Sequence, residues 1–227
     1  YASIKNQLYY FNWSIDDSFS LVLIDLKDSI PIERRFLANQ LENSPQLSCG
    51  VFDYEGYLVV LCHMPDKKTI QDTIYQYSIK YDFYAAISKV FNLLTDMSVY
   101  YEQTKRIITI GKNMSLENRI YFSDDYGLYS IIAKLLEQNS IFEICHEGVL
   151  RLYELDQNNG TEYVSTLLEY LNNDRNVLRT SKILYIHRNT LLHRLEKICD
   201  IVDIDNCNAE TRHFVLLSIL ILKYCTS

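Results

Sequence analysis

The residues best suited to chemistry lie in one short run, Leu184-Tyr185-Ile186-His187-Arg188-Asn189-Thr190-Leu191-Leu192-His193-Arg194-Leu195. An arginine guanidinium forks onto guanine O6 and N7, and an asparagine amide pairs in the same two-point way with adenine. Arg188 and Asn189 are therefore candidates for base edges. Thr190, Arg179 and Lys182 are candidates for phosphate oxygens, the contacts that fix register without reading sequence. His187 and His193 can donate to either, and a nearby phosphate favours their charged form. Arg194 adds a further cation. Between these donors, Ile186, Leu191, Leu195 and Ile198 recur on one helical face, so the donors project from another. The competing reading of the same pattern is a helical-bundle corner whose cations face only water.

Charge distribution favours the first reading. The 227-residue chain carries a net charge of −7, which argues against a protein that coats nucleic acid indiscriminately. From Asn172 to Lys197, however, six basic residues face two acidic ones, a net of +4 that leaves −11 on the remainder. A locally basic segment on an acidic body suits a protein that docks one element on DNA.

Other chemistries find little support. The six cysteines form no CxxC pair, and Cys62-His63 and Cys145-His146 lack the paired spacing of a zinc site, so no metal and no cofactor is expected. They read as reduced, mostly buried thiols of a cytoplasmic protein. The apolar run Phe214 to Leu222 is far short of the ~20 residues that span a bilayer, so no membrane partner is expected. The chain opens on Tyr1 rather than Met, and we expect it to be a fragment.

The elements that must position the donors can be read by period. Phe19 to Leu26 is a continuous apolar run suited to a buried strand. Ser29 and Pro31 signal a helix with Ile32, Phe36, Leu37 and Leu41 on one face. Leu47 to Phe52 and Tyr57 to His63 read as strands joined by the turn Asp53-Tyr54-Glu55-Gly56. A helix over 68–81, a strand over 83–88, a helix over 96–110 ended by Gly111, and a short strand over 119–122 follow. The order β-α-β-β-α-β-α-β predicts an α+β domain, helices covering a largely antiparallel sheet.

After Asp124 the pattern is entirely helical. Leu128, Ile131, Ile132, Leu135 and Leu136 form one amphipathic stripe, and Val149 to Leu155 another helix. A helix opening at Thr161 with Val164, Leu167, Leu168 and Leu171 inward ends at Asn172-Asn173-Asp174. Two short helices, 177–184 and 188–199, then make a helix-turn-helix, in which the second enters the major groove by its N-terminal end. Ser181 allows close approach, while Ile183, Leu184, Ile186, Leu191 and Leu195 lock the angle. Thr211 to Lys223 closes the chain. We expect domains at 1–125 and 148–227, with a linker helix over 126–147.

Leu150 through Tyr224 resembles the C-terminal helix-turn-helix domain of PucR/CdaR-family bacterial transcriptional regulators. The blocks that carry it are Leu155-Asp156 with Gly160-Thr161-Glu162, Thr166 to Leu171, Tyr185 to Ile198, Ile204-Asp205 and Glu210-Thr211-Arg212. The helix-turn-helix also resembles that of the nucleoid protein Fis, which implies base reading by His187, Arg188, Asn189 and His193, with Thr190 near phosphate. Ser181 stands where the PucR/CdaR family usually has Ala, and His193 where Tyr or a basic residue is common.

The N-terminal part resembles the degenerate GGDEF-like domain found beside such helix-turn-helices. Phe11-Asn12-Trp13, Ala86-Ile87-Ser88 and Tyr100 to Thr104 carry that likeness. A working nucleotide cyclase needs a Gly-Gly-acid-Glu-Phe hairpin to admit phosphates and hold metal. Here the hairpin reads Asp53-Tyr54-Glu55-Gly56-Tyr57, with Asp25 an isolated carboxylate at a strand end, so no catalysis is expected. A vestigial ligand pocket stays open. The expected whole is a non-catalytic, homodimeric regulator of double-stranded DNA, its effector sensed before Tyr1. The rival is an adaptor that binds protein or ligand without touching DNA.

Overall fold

Why the first apolar run has no polar alternation is clear from its neighbours in the computed structural model, which describes residues 13–26, 31–114, 118–204 and 207–226. Strand β1 (Phe19–Asp25) is the middle of a five-stranded sheet and is buried on both faces. It pairs antiparallel with β3 (Tyr57–His63) on one side and with β4 (Tyr84–Ile87) on the other. The order is β2-β3-β1-β4-β5, with β2 (Cys49–Tyr54) antiparallel to β3 and β5 (Ile120–Phe122) parallel to β4. The first four strands thus form a split β-α-β arrangement, within the largely antiparallel α+β sheet that the element order implied. The β2–β3 hairpin closes on the two-residue turn Glu55-Gly56, both at positive φ, as a type I′ turn requires.

Side chains alternate between two cores. Val22, Ile24, Leu58, Val60 and Ala85 face helices α1 (Pro31–Glu42) and α2 (Lys67–Tyr81), which bury Leu37, Leu41, Ile70 and Ile74 there. Phe19, Leu21, Leu23, Val59 and Leu61 face the other way, onto Tyr101 of α3 (Met97–Met114). Asp66 starts α2 by accepting the Thr69 N–H at 2.8 Å. The helix α4 (Ser123–Leu136) follows β5 directly.

Three expectations need correction here. Ile32 and Phe36 do not join the inward face of α1 but are exposed, because the buried Leu37 and Leu41 lie about 100–180° around the helix from them. Gly111 does not end its helix, which runs on to Met114. A Cβ at Gly111 would collide with the ring of the fully buried Tyr121, so glycine serves close approach of α3 to β5 rather than termination. In α4, Leu128, Ile131 and Leu135 are exposed and Ile132 alone of the apolar stripe is fully buried. Ser29, Phe11, Asn12 and Asp205 lie outside the described residues.

The chain divides into two compact units between Ile131 and Ile132. In place of one linker helix over 126–147, α4 stops at Leu136 and a four-residue helix α5 (Ile141–Ile144) follows. The second unit continues with α6 (Glu147–Asn159), α7 (Tyr163–Asn172), α8 (Val177–Ile183), α9 (Arg188–Cys199) and α10 (Ala209–Thr226). Val149 and Leu152 of α6, Leu167 and Tyr170 of α7, Leu191, Leu195 and Ile198 of α9, and Val215 and Ile219 of α10 share one core. Burying each such leucine or isoleucine contributes roughly 1.5–3 kcal/mol.

Candidate nucleic-acid interface

The frame around the basic run is built by caps. Asp156, near the end of α6, reaches over the turn at Gly160, which has a φ of 63°. Its carboxylate accepts the Tyr163 and Val164 N–H groups at 2.7 and 2.8 Å and the Thr161 hydroxyl at 2.6 Å. One side chain thereby satisfies two of the free amides at the start of α7. Asn176 starts α8 in the same manner, accepting the Arg179 N–H at 3.0 Å.

Helix α8 ends in a Schellman motif. The Ile186 N–H donates to the Ser181 carbonyl at 3.1 Å and the Tyr185 N–H to that of Lys182 at 3.3 Å. The residue between these bonds must be left-handed, and it is Tyr185, with a φ of 53°. Glycine is the usual occupant, and a side chain there costs roughly 1–2 kcal/mol. Small inner residues permit the tight crossing, since Thr180 and Ser181 are both buried.

His187 caps α9, its Nδ1 accepting the Asn189 N–H at 3.2 Å. The exposed ring leaves Nε2 for a partner outside the chain. Inward, Leu191, Leu195 and Ile198 are buried. Outward, Arg188, Asn189, Thr190 and His193 are exposed on the first two turns, with exposed Arg179 and Lys182 on the preceding helix. The positive end of the α9 dipole lies among the same residues and favours an approaching anion.

Arg194 departs from the expected set. Its Nη1 holds Glu162 Oε2 at 3.0 Å and Thr166 Oγ1 at 3.1 Å, tying α9 to α7 instead of reaching outward. Ile183 is also corrected, for it is exposed and takes no part in locking the helix pair. Sequence reasoning missed Asp156 and Glu162 as positioning groups. Their blocks, Leu155-Asp156 and Gly160-Thr161-Glu162, were visible as motifs, but their partners lie up to 32 residues away in the chain.

Residues 163–221, the span from α7 through most of α10, match the PucR C-terminal helix-turn-helix domain. The second unit carries a PucR-type helix-turn-helix. The chain is similar to the DNA-binding transcriptional activator AdeR of Bacillus subtilis, 27% identical over 139 residues, covering 61% of this chain and 33% of AdeR. It is similar also to the proline-responsive transcriptional activator PutR of the same organism, 26% identical over 141 residues, 62% of this chain and 34% of PutR. To the carbohydrate diacid regulator of Escherichia coli it is 33% identical over 112 residues, 49% of this chain and 28% of that protein. These matches bear out the PucR/CdaR resemblance. The matched part amounts to about a third of the length of each relative.

No cluster of three or more His, Cys, Asp or Glu side chains able to hold a metal occurs among the described residues. No described helix is long and apolar enough to cross a membrane.

Proposed function

We propose that this chain is the DNA-reading part of a sequence-specific transcriptional regulator. The observation that carries it is the division of α9: Leu191, Leu195 and Ile198 are buried while His187, Arg188, Asn189, Thr190 and His193 stand exposed around a helix N-terminus. In this reading Arg188 and Asn189 take base edges and Thr190, Arg179 and Lys182 take phosphates. His187 donates through Nε2, and His193 reads from one turn further along. Arg194 is a positioning residue.

The first unit serves as a GGDEF-like, non-catalytic module. Supporting this, Asp25 is bound by Lys112 at 2.6 Å and Glu55 by Lys105 at 2.6 Å, while Asp53 is held by Arg34, so the carboxylates around the hairpin are matched by cations of the same chain. The regulator acts in the cytoplasm as a homodimer on paired half-sites, because one short reading helix on an acidic body gives weak monomer affinity. It responds to a small-molecule effector.

The test is binding to a duplex enriched by this chain from a random-sequence pool, with a scrambled duplex as control, across salt concentrations. Arg188→Ala is expected to cost about 1–3 kcal/mol on the enriched duplex and to relax preference at one base pair. Lys182→Ala is expected to weaken both duplexes alike and to reduce the salt slope by about one. An adaptor that never touches DNA enriches no duplex.

A further inference from the structure

Among the described residues, six non-glycine residues have positive φ: Glu55, Met64, Asp82, Asp174, Arg175 and Tyr185. Asp82 and Asp174 belong to a residue type that tolerates this region, and Glu55 closes a hairpin. Tyr185 is the one aromatic, and it is 95% exposed. Its ring therefore gains almost nothing from packing, while its backbone sits where glycine would be easier. The fold alone gives no reason for tyrosine at this position. Strain held at an exposed side chain is a mark of function.

The surroundings say which function. Tyr185 is the turn residue of the helix-turn-helix, three residues after Lys182 and two before His187, with Arg188 next, all four exposed. The exposed cations on both sides are matched to an anionic surface, and a phenol is a neutral donor suited to phosphate oxygen. We propose that Tyr185 is a DNA-backbone contact, its hydroxyl donating to a phosphate beside the groove that α9 enters. This rests on the DNA-binding reading above. The left-handed turn leaves the ring exposed beside the reading helix, where its hydroxyl can reach a partner outside the chain.

The two roles of the residue give opposite signs, which makes the test sharp. In the full chain, Tyr185→Gly relieves the left-handed strain and is expected to raise Tm by a few degrees. On the duplex enriched by the wild-type chain, the same variant is expected to bind about tenfold more weakly, as befits one hydrogen bond to a charged group. The scrambled duplex should lose the same factor, because a phosphate contact carries no sequence information. Tyr185→Phe keeps the ring and should show most of the loss with unchanged Tm. Tyr185→Ala, which has no donor and lacks the backbone freedom of glycine, checks that any loss with Gly is not chain flexibility.

Wild-type affinity in Tyr185→Gly or Tyr185→Phe overturns the proposal, as does weakened binding accompanied by a lowered Tm. Affinity kept by Tyr185→Ala overturns it too. Failure of the wild-type chain to enrich any duplex would instead strike the DNA-binding reading itself.

Discussion

At the scale of single residues, two arginines six positions apart on one helix have separate duties. Arg188 lies on the exposed first turn of α9, where its fork is free for a partner outside the chain. Arg194 is committed internally, with its side chain about a quarter exposed and Glu162 about two-thirds exposed. An ion pair so open to water contributes modestly, about 0.2–1 kcal/mol by comparison with other exposed pairs. Its importance is geometric, because it fixes the roll of α9 relative to α7 and hence the direction in which Asn189 and His193 point. Arg194→Met and Glu162→Gln are each expected to reduce specific DNA affinity severalfold. In a double-mutant cycle the second substitution should add little to the first. The salt slope of binding separates this from a phosphate contact: it is expected to stay at the wild-type value in Arg194→Met. A slope reduced by about one would return Arg194 to the set of DNA contacts.

At the scale of elements, what could be read in advance was whatever depends on near neighbours in sequence. The bounds of α9 follow from Leu191, Leu195 and Ile198 at helical spacing with a polar cap before them. The hairpin follows from its flanking strands, although its turn is Glu55-Gly56 alone, with Asp53 and Tyr54 still paired in β2. The roles of Gly111 and of Ile32 and Phe36 were not legible, because they depend on which element arrives from elsewhere. Gly111 is a stop signal by composition, yet inside α3 it makes room for Tyr121, a residue of a different strand that stacks on Tyr84 and meets Tyr126 edge-on. The donor face of α9 was legible in its residue types, whereas the withdrawal of Arg194 depends on Glu162, on a helix reached through the Asp156 cap. Gly111→Ala places the two kinds of information in opposition. Local propensity says that alanine stabilises a helix interior by about 1 kcal/mol. The crowding against a buried aromatic ring costs about 1–3 kcal/mol and wins. We expect Gly111→Ala to lower the urea midpoint of unfolding, followed by the fluorescence of Trp13, the one tryptophan of the chain. An unchanged or raised midpoint would mean that α3 and β5 do not approach so closely.

At the scale of the whole molecule, the charge that limits DNA binding also sets the response to acid. A body carrying −11 repels a polyanion while the segment around α8 and α9, at +4, attracts it, so both effects are screened together as salt rises. Within the first unit several of the acidic groups are engaged. The Ser14 N–H and then the His63 ring hold the Asp17 carboxyl below its ordinary value of 3.8. Lys105 does the same to Glu55, the Thr69 hydroxyl and N–H to Asp66, and Lys67 to Asp124. A carboxyl whose pKa is lower in the folded than in the unfolded chain favours folding above the unfolded value, and that contribution is lost as pH falls through the folded one. All four shifts have this sign, so the first unit should keep its stability from neutral pH down to about pH 4.5 and lose it progressively below. Trp13 stacks on His63 with ring centroids 4.9 Å apart, and that His63 ring is hydrogen-bonded to Asp17 Oδ2 at 2.7 Å. The Trp13 fluorescence is expected to change as pH falls below about 4. Asp17→Asn should reduce that change, because the variant side chain has no proton to take up. A transition centred above pH 5 would place the acid response in some other group than these carboxylates.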